Sequence, residues 1–202
     1  MSTRTSQILQ AAFLFLLALA LNSGAVAVRV QEQLSDKVIR LHVLANSDSP
    51  ADQSLKLLVR DRLLHDAAPL LDKARDRREM ETLLRESLPA LSDAARETLS
   101  MNGSSYPVTL ELRETEFPTR YYDTFALPAG RYLALRAVIG DGNGHNWWCV
   151  VFPPLCGGGV PDTDNDFTAE EISLISRDTA PYVLKFRVVE CWERLRQTLA
   201  RE

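Results

Sequence analysis

One set of residue types in this sequence could carry nucleophilic chemistry. Cys149 has the thiol of a cysteine hydrolase, His145 or His42 could serve as its base, and Asp48 or Asn46 could orient that base. The local context argues against it. A reactive thiol needs an exposed, electropositive perch such as a helix N-terminus, whereas Cys149 lies in the apolar run Trp147-Trp148-Cys149-Val150-Val151-Phe152 with Cys156 close behind. Metal chemistry is no better supported. Asp162, Asp164 and Asp166 open like a calcium loop, but Phe167 stands where that loop needs glycine and Ser173 where it needs a bidentate glutamate. Cys149, Cys156 and Cys191 with His42, His65 and His145 show no zinc spacing. Carboxylate pairs such as Glu170-Glu171 are plentiful, and nothing singles one out for glycoside hydrolysis. No metal and no cofactor is expected.

Binding is the better use of the stretch Asn146 to Cys156. On a strand, Trp147 and Trp148 point to opposite faces. One can enter a core while the other meets solvent unless a helix or partner covers it, and large exposed aromatics mark binding surfaces.

The elements that must position these residues alternate helical and extended patterns. Val38 to Leu44 places Ile39, Leu41 and Val43 on one side and Arg40 and His42 on the other, a half-buried strand. Asn46-Ser47-Asp48 ends it with turn formers. Ser49-Pro50-Ala51-Asp52 then starts a helix, with serine as cap, proline at the first helical position and an acid following. Leu55, Leu58, Val59 and Leu63 continue it at helical spacing. Residues 70–100 stay helical, with Pro89 expected to split the stretch into two helices because it lacks an amide hydrogen. Val108, Leu110 and Leu112 alternate with polar residues as a strand. Leu127-Pro128-Ala129-Gly130 is expected to turn between arms at Tyr121–Phe125 and Tyr132–Ile139, and Gly140 to Gly144 to close a second hairpin into Trp147–Phe152. A polar linker follows at about 157–166, and residues 181–200 close the chain as an amphipathic helix. The expected fold is α+β, an antiparallel sheet with helices packed on one face.

An N-terminal signal sequence is expected to precede that domain. Residues 1–27 carry one charge, Arg4, then an apolar run from Ile8 to Leu21 interrupted only by Gln10, a break at Asn22-Ser23-Gly24, and Ala25-Val26-Ala27 at the spacing of a cleavage site. An uncleaved anchor from Ile8 to Val30 is the alternative. Residues 28–202 are then a single domain outside the membrane. Its charge excludes one class of partner: the chain is net acidic, at −4, and Arg75, Arg77 and Arg78 are interleaved with Asp72, Asp76, Glu79 and Glu81, so no basic footprint for nucleic acid exists. In an oxidising compartment three cysteines leave three possible pairings. Cys149 and Cys156 are the favoured disulfide, close in sequence with Pro153-Pro154 between them, while Cys191 sits in a helical pattern.

Two blocks carry a resemblance. Val38-Ile39-Arg40-Leu41-His42-Val43-Leu44-Ala45-Asn46-Ser47-Asp48-Ser49-Pro50, with Asp52-Gln53 and Leu55-Lys56, closely resembles the opening of stage II sporulation protein R. So does the block from Leu127-Pro128-Ala129-Gly130 through Asn146-Trp147-Trp148-Cys149 to Phe152-Pro153-Pro154-Leu155-Cys156, and the stretch near Lys185-Phe186 and Glu190 to Glu193 also fits. The resemblance implies a signalling protein of endospore formation, secreted from the forespore into the space between forespore and mother cell. There such proteins trigger a membrane-embedded aspartic protease that matures the sigma-E precursor. The implied partner is that sporulation membrane protease, with no nucleic acid, and with membrane contact only through the signal segment or the receptor. The resemblance brings no catalytic residues. His42, Asn46, Asp48, Asn146, Trp147 and Trp148 are the candidate receptor contacts, against capping and turn formation as the plainer role of Asn46 and Asp48. The secreted cysteine hydrolase remains the alternative.

Overall fold

The computed structural model describes residues 31–122 and 125–153, with 7, 10, 11, 13–15, 29, 167 and 168. The expected cleavage site, Cys156, the 157–166 linker and the closing helix over 181–200 lie outside the described residues. Among the described residues no helix is long and apolar enough to cross a membrane. The chain divides into two compact units, one formed by Leu34–Phe117 with Arg131–Phe167 and the other by Met1–Gln33, Pro118–Gly130 and Thr168–Glu202.

The first unit begins with strand β1 (Ile39–Leu44), followed by helices α1 (Pro50–Leu71) and α2 (Arg77–Met101) and then strand β2 (Val108–Phe117). The helix signals work as the sequence suggests. The Ser49 hydroxyl accepts the Asp52 N–H at 3.1 Å, with Pro50 opening α1. Asp76 caps α2 by accepting the Arg78 and Glu79 N–H groups at 2.8 and 2.9 Å. Leu63 of α1 and Leu84 and Leu99 of α2 bury against Ile39, Leu41 and Val43 of β1. Each such leucine contributes roughly 2 kcal/mol by leaving water. Pro89 does not split α2, which runs through it unbroken. Its ring is exposed, and Leu84 and Leu91 are buried on either side, so core contacts on both flanks outweigh the one missing hydrogen bond.

Strands β5 (Gly130–Ile139) and β6 (Asn146–Phe152) complete a four-stranded sheet in the order β2-β5-β1-β6. This sheet is mixed and not wholly antiparallel as expected. β1 runs parallel to β5, from Ile39 opposite Leu133 to Leu44 opposite Val138, and antiparallel to β6, with Leu41, His42, Val43 and Leu44 opposite Cys149, Trp148, Trp147 and Asn146. The Gly140–Gly144 loop therefore does not join neighbours. It is the bend of a split hairpin whose arms, β5 and β6, receive β1 between them. The loop is short enough to read as a tight hairpin, but its Asn143 and Gly144 N–H groups bond to the Asn46 and Ala45 carbonyls at 3.1 and 2.9 Å, which seats it across the end of β1. β2 lies beyond β5 at the sheet's edge. Glu111 meets Arg136, Glu116 meets Arg131, and the Gly140 N–H reaches the Pro107 carbonyl, so rising numbers on β2 face falling numbers on β5 and the two run antiparallel.

β1 also differs from expectation. Its alternation predicts one solvated face, yet Arg40 and His42 are as buried as Leu41. The rings of Phe117, Tyr132 and Trp148 cover that face of β1, so Arg40 and His42 leave water in aromatic company.

In the other unit, β3 (Arg120–Tyr121) pairs antiparallel with β4 (Ala126–Leu127). The chain reverses where the Tyr122 N–H meets the Phe125 carbonyl at 2.8 Å, with their rings stacked at 4.5 Å. The expected hairpin about Leu127 to Gly130 does not form, because its arms pair elsewhere: Tyr121 with Ala126 in this unit, and β5 with β1 in the sheet.

Candidate functional site

The C-terminal end of β1 holds a dense polar network. Asp52, in the first turn of α1, accepts from the Ser47 hydroxyl at 2.5 Å and the Asn46 amide at 2.9 Å. These two donors, Ser47 foremost, hold its carboxyl below the usual carboxylate range. The Asn46 side-chain oxygen accepts the Asp141 N–H at 3.0 Å, so one asparagine ties α1 to the glycine loop. Gln53 donates to the Ser47 carbonyl at 2.9 Å. Lys56, buried one turn further on, donates to Gln53 Oε1 at 2.5 Å and to the His145 carbonyl at 2.9 Å. Burial lowers the Lys56 ammonium's pKa, and nearby Asp48 opposes that.

Asp48 closes the network from outside. Its carboxylate accepts the His145 N–H at 2.6 Å and also contacts His145 Nδ1. The backbone donor is the larger reason its pKa is lowered. Two glycines make room for these contacts. A Cβ on Gly140, at φ +56°, would sit 2.2 Å from Asn46 Oδ1, and a Cβ on Gly144 would sit 2.2 Å from the Ser47 carbonyl oxygen.

On the sheet face away from α1 and α2 lies an aromatic and basic cluster. His42 stacks on Trp148, with ring centroids 4.0 Å apart and planes 11° apart. Phe117 meets Trp148 edge-on at 4.9 Å and Tyr132 at 5.8 Å, and the Arg40 guanidinium lies over the Phe117 ring at 3.9 Å. On the opposite face the Trp147 ring lies 4.3 Å from the Arg60 guanidinium of α1 and is 37% exposed, with exposed Leu57 one turn before Arg60. The two tryptophans thus part as strand geometry requires. Trp148 packs against His42, and Trp147 is the more exposed of the two.

The six candidate contact residues fall into three groups. Asn46 and Asp48 belong to the loop network, His42 and Trp148 to the stacked cluster, and Asn146 and Trp147 to the exposed start of β6. The hydrolase set does not assemble. Cys149 is 4% exposed and lies opposite Leu41 in the apolar core, His42 faces the other side of the sheet, and the His145 ring is engaged by Asp48. Among the described residues no group of three His, Cys, Asp or Glu could hold a metal ion. Asp52, Gln53, Lys56 and Arg60 are the participants the residue patterns missed. One signal was available: Asp52, Lys56, Val59 and Leu63 share the buried stripe of α1, so a lysine and an aspartate stand at core spacing and need partners.

A family model described as stage II sporulation protein R matches residues 35–160. Stage II sporulation protein R of Bacillus subtilis (strain 168) is 37% identical over 123 residues, which cover 61% of this chain and 55% of that protein. The chain thus spans about half the length of the curated relative it matches. No solved structure matches.

Proposed function

The chain belongs to the stage II sporulation protein R family, and from that premise we propose that it is an exported signalling protein of endospore formation. It acts in the space between forespore and mother cell and activates a membrane-embedded aspartic protease there, which then matures the sigma-E precursor. The family match is the observation that carries this reading. Two features support it. The first 27 residues have the charge, apolar run and small-residue spacing of a secretory signal. The Cys149 sulfur that a hydrolase would need lies within the core, on the sheet face away from His42. A Cys149–Cys156 disulfide belongs to the same reading, as a brace at the end of β6 in an oxidising compartment. The surface offered to the protease is the start of β6 with α1, where Trp147, Arg60 and Leu57 are grouped.

Reconstitution tests this. The full chain, the membrane protease and the sigma-factor precursor are co-expressed in a non-sporulating bacterium, and precursor cleavage is followed by immunoblot. Cleavage that depends on residues 1–27 is expected, and Trp147→Ala is expected to reduce it at least tenfold, the loss of a single aromatic anchor, with the circular dichroism spectrum unchanged. Absence of cleavage with all three proteins present would remove the activator reading. Full activity of a folded Trp147→Ala variant would remove only the proposed contact surface.

A further inference from the structure

The outer edge of β2 carries a rail that fits a second copy of itself. β2 ends the sheet at ten residues, a long edge, and among the described residues no strand lies beyond it. Side chains on both of its faces reach solvent: Arg113 at 59% on one side and Glu114 at 51% on the other. The parity of the ladder follows from the Gly140 N–H bonding the Pro107 carbonyl. Odd-numbered residues of β2 turn their backbone groups toward β5, and even-numbered residues, Val108 to Glu116, turn theirs outward. The Leu112 carbonyl confirms this, because Arg85 of α2 reaches it from outside the sheet, at a long 3.5 Å.

We infer that two copies of this chain associate by antiparallel pairing of their β2 edges about Leu112. That register matches outward-facing even residues with even residues, as a ladder requires, and uses the whole rail from Val108 to Glu116. It also places Glu111 opposite Arg113 of the second copy, twice by symmetry, and Thr109 opposite Thr115 of the second copy. Shifting the centre to Leu110 puts Thr109 opposite Glu111, and shifting it to Glu114 puts Arg113 opposite Thr115; both shorten the ladder and lose the charge match. Opposite charges and threonine pairs at directly facing positions favour one register over its neighbours. The edge is self-complementary, as a two-fold interface demands. Arg85 must release the Leu112 carbonyl for the strands to meet, and its ion pair with Glu81 at 2.7 Å gives it another place to rest.

The test measures self-association of the full chain, in mild detergent, by sedimentation over a concentration series. Wild type is expected to show a reversible monomer–dimer equilibrium. Arg113→Glu and Glu111→Arg each set like charges opposite one another and are expected to weaken it about tenfold. Mixed together they restore both opposite-charge pairs, so the mixture is expected to regain dimer that neither variant forms alone. Glu114→Pro removes an outward N–H without breaking the ladder to β5 and is expected to abolish the dimer with the circular dichroism spectrum unchanged. A wild type that stays monomeric at every concentration reached overturns the inference. So does a dimer indifferent to the charge exchange.

Discussion

Asp52 shows most plainly how one side chain organises the site. Its carboxylate collects the Ser47 hydroxyl and the Asn46 amide, and those donors depress its pKa. A carboxylate with a lowered folded pKa adds stability that is fully present above its unfolded value, near 3.8, and is lost as pH falls through the folded value. Asp48 acts in the same direction through the His145 N–H. Asp52→Asn is therefore expected to lower the Tm near neutrality, by a margin that holds down to about pH 5 and narrows only as the solution is acidified below about pH 4. Thermal melts followed by circular dichroism read this directly, and a gap independent of pH would show that the charge contributes nothing. At this scale the sequence was partly legible. The capping roles of Ser49 and Pro50 depend on near neighbours and could be read. The engagement of Asp48 with His145, and of Lys56 with the His145 carbonyl, joins residues some ninety positions apart, which no local pattern reports.

Elements were legible where their partners were local. The start of α1, the extent of β1 and the alternation of β2 follow from spacing, and all three stand where expected. The sheet order did not follow, because the glycine loop's length fits a hairpin between neighbours as well as one that is split by β1. The split version is held by the loop's fit over the end of β1. At Gly144 a side chain would meet a backbone atom that cannot swing aside, the Ser47 carbonyl oxygen, at 2.2 Å. Gly144→Ala is expected to destabilise the protein by about 1–3 kcal/mol, the usual cost of forcing a methyl group into occupied space. Urea denaturation measures it, and a loss within error of zero would mean that the loop can lift from β1 without consequence.

For the whole molecule, composition and family resemblance carried the reading further than geometry. The acidic balance, the apolar start and the two long motif blocks could be read from the sequence, while the site residues divide into a polar loop network, one aromatic cluster and the exposed start of β6 beside Arg60. The proposed disulfide offers a check on compartment. Intact mass of exported protein, alkylated with and without reduction, is expected to show one free thiol before reduction and three after. Three before reduction would exclude any disulfide. The position of β1 also bears on how the chain acquires its structure. This strand is made early, yet both strands that flank it, β5 and β6, come only after both long helices and β2. While the polypeptide emerges N-terminus first, the future centre of the sheet has no partner, and its apolar face can be sheltered only by α1 and α2. Pairing of such distant segments is slow because a long loop must close before any ladder bond forms. The centre of the sheet therefore assembles only after β5 has been made, and a chain truncated before Asn146 lacks the strand that flanks β1 on its other side.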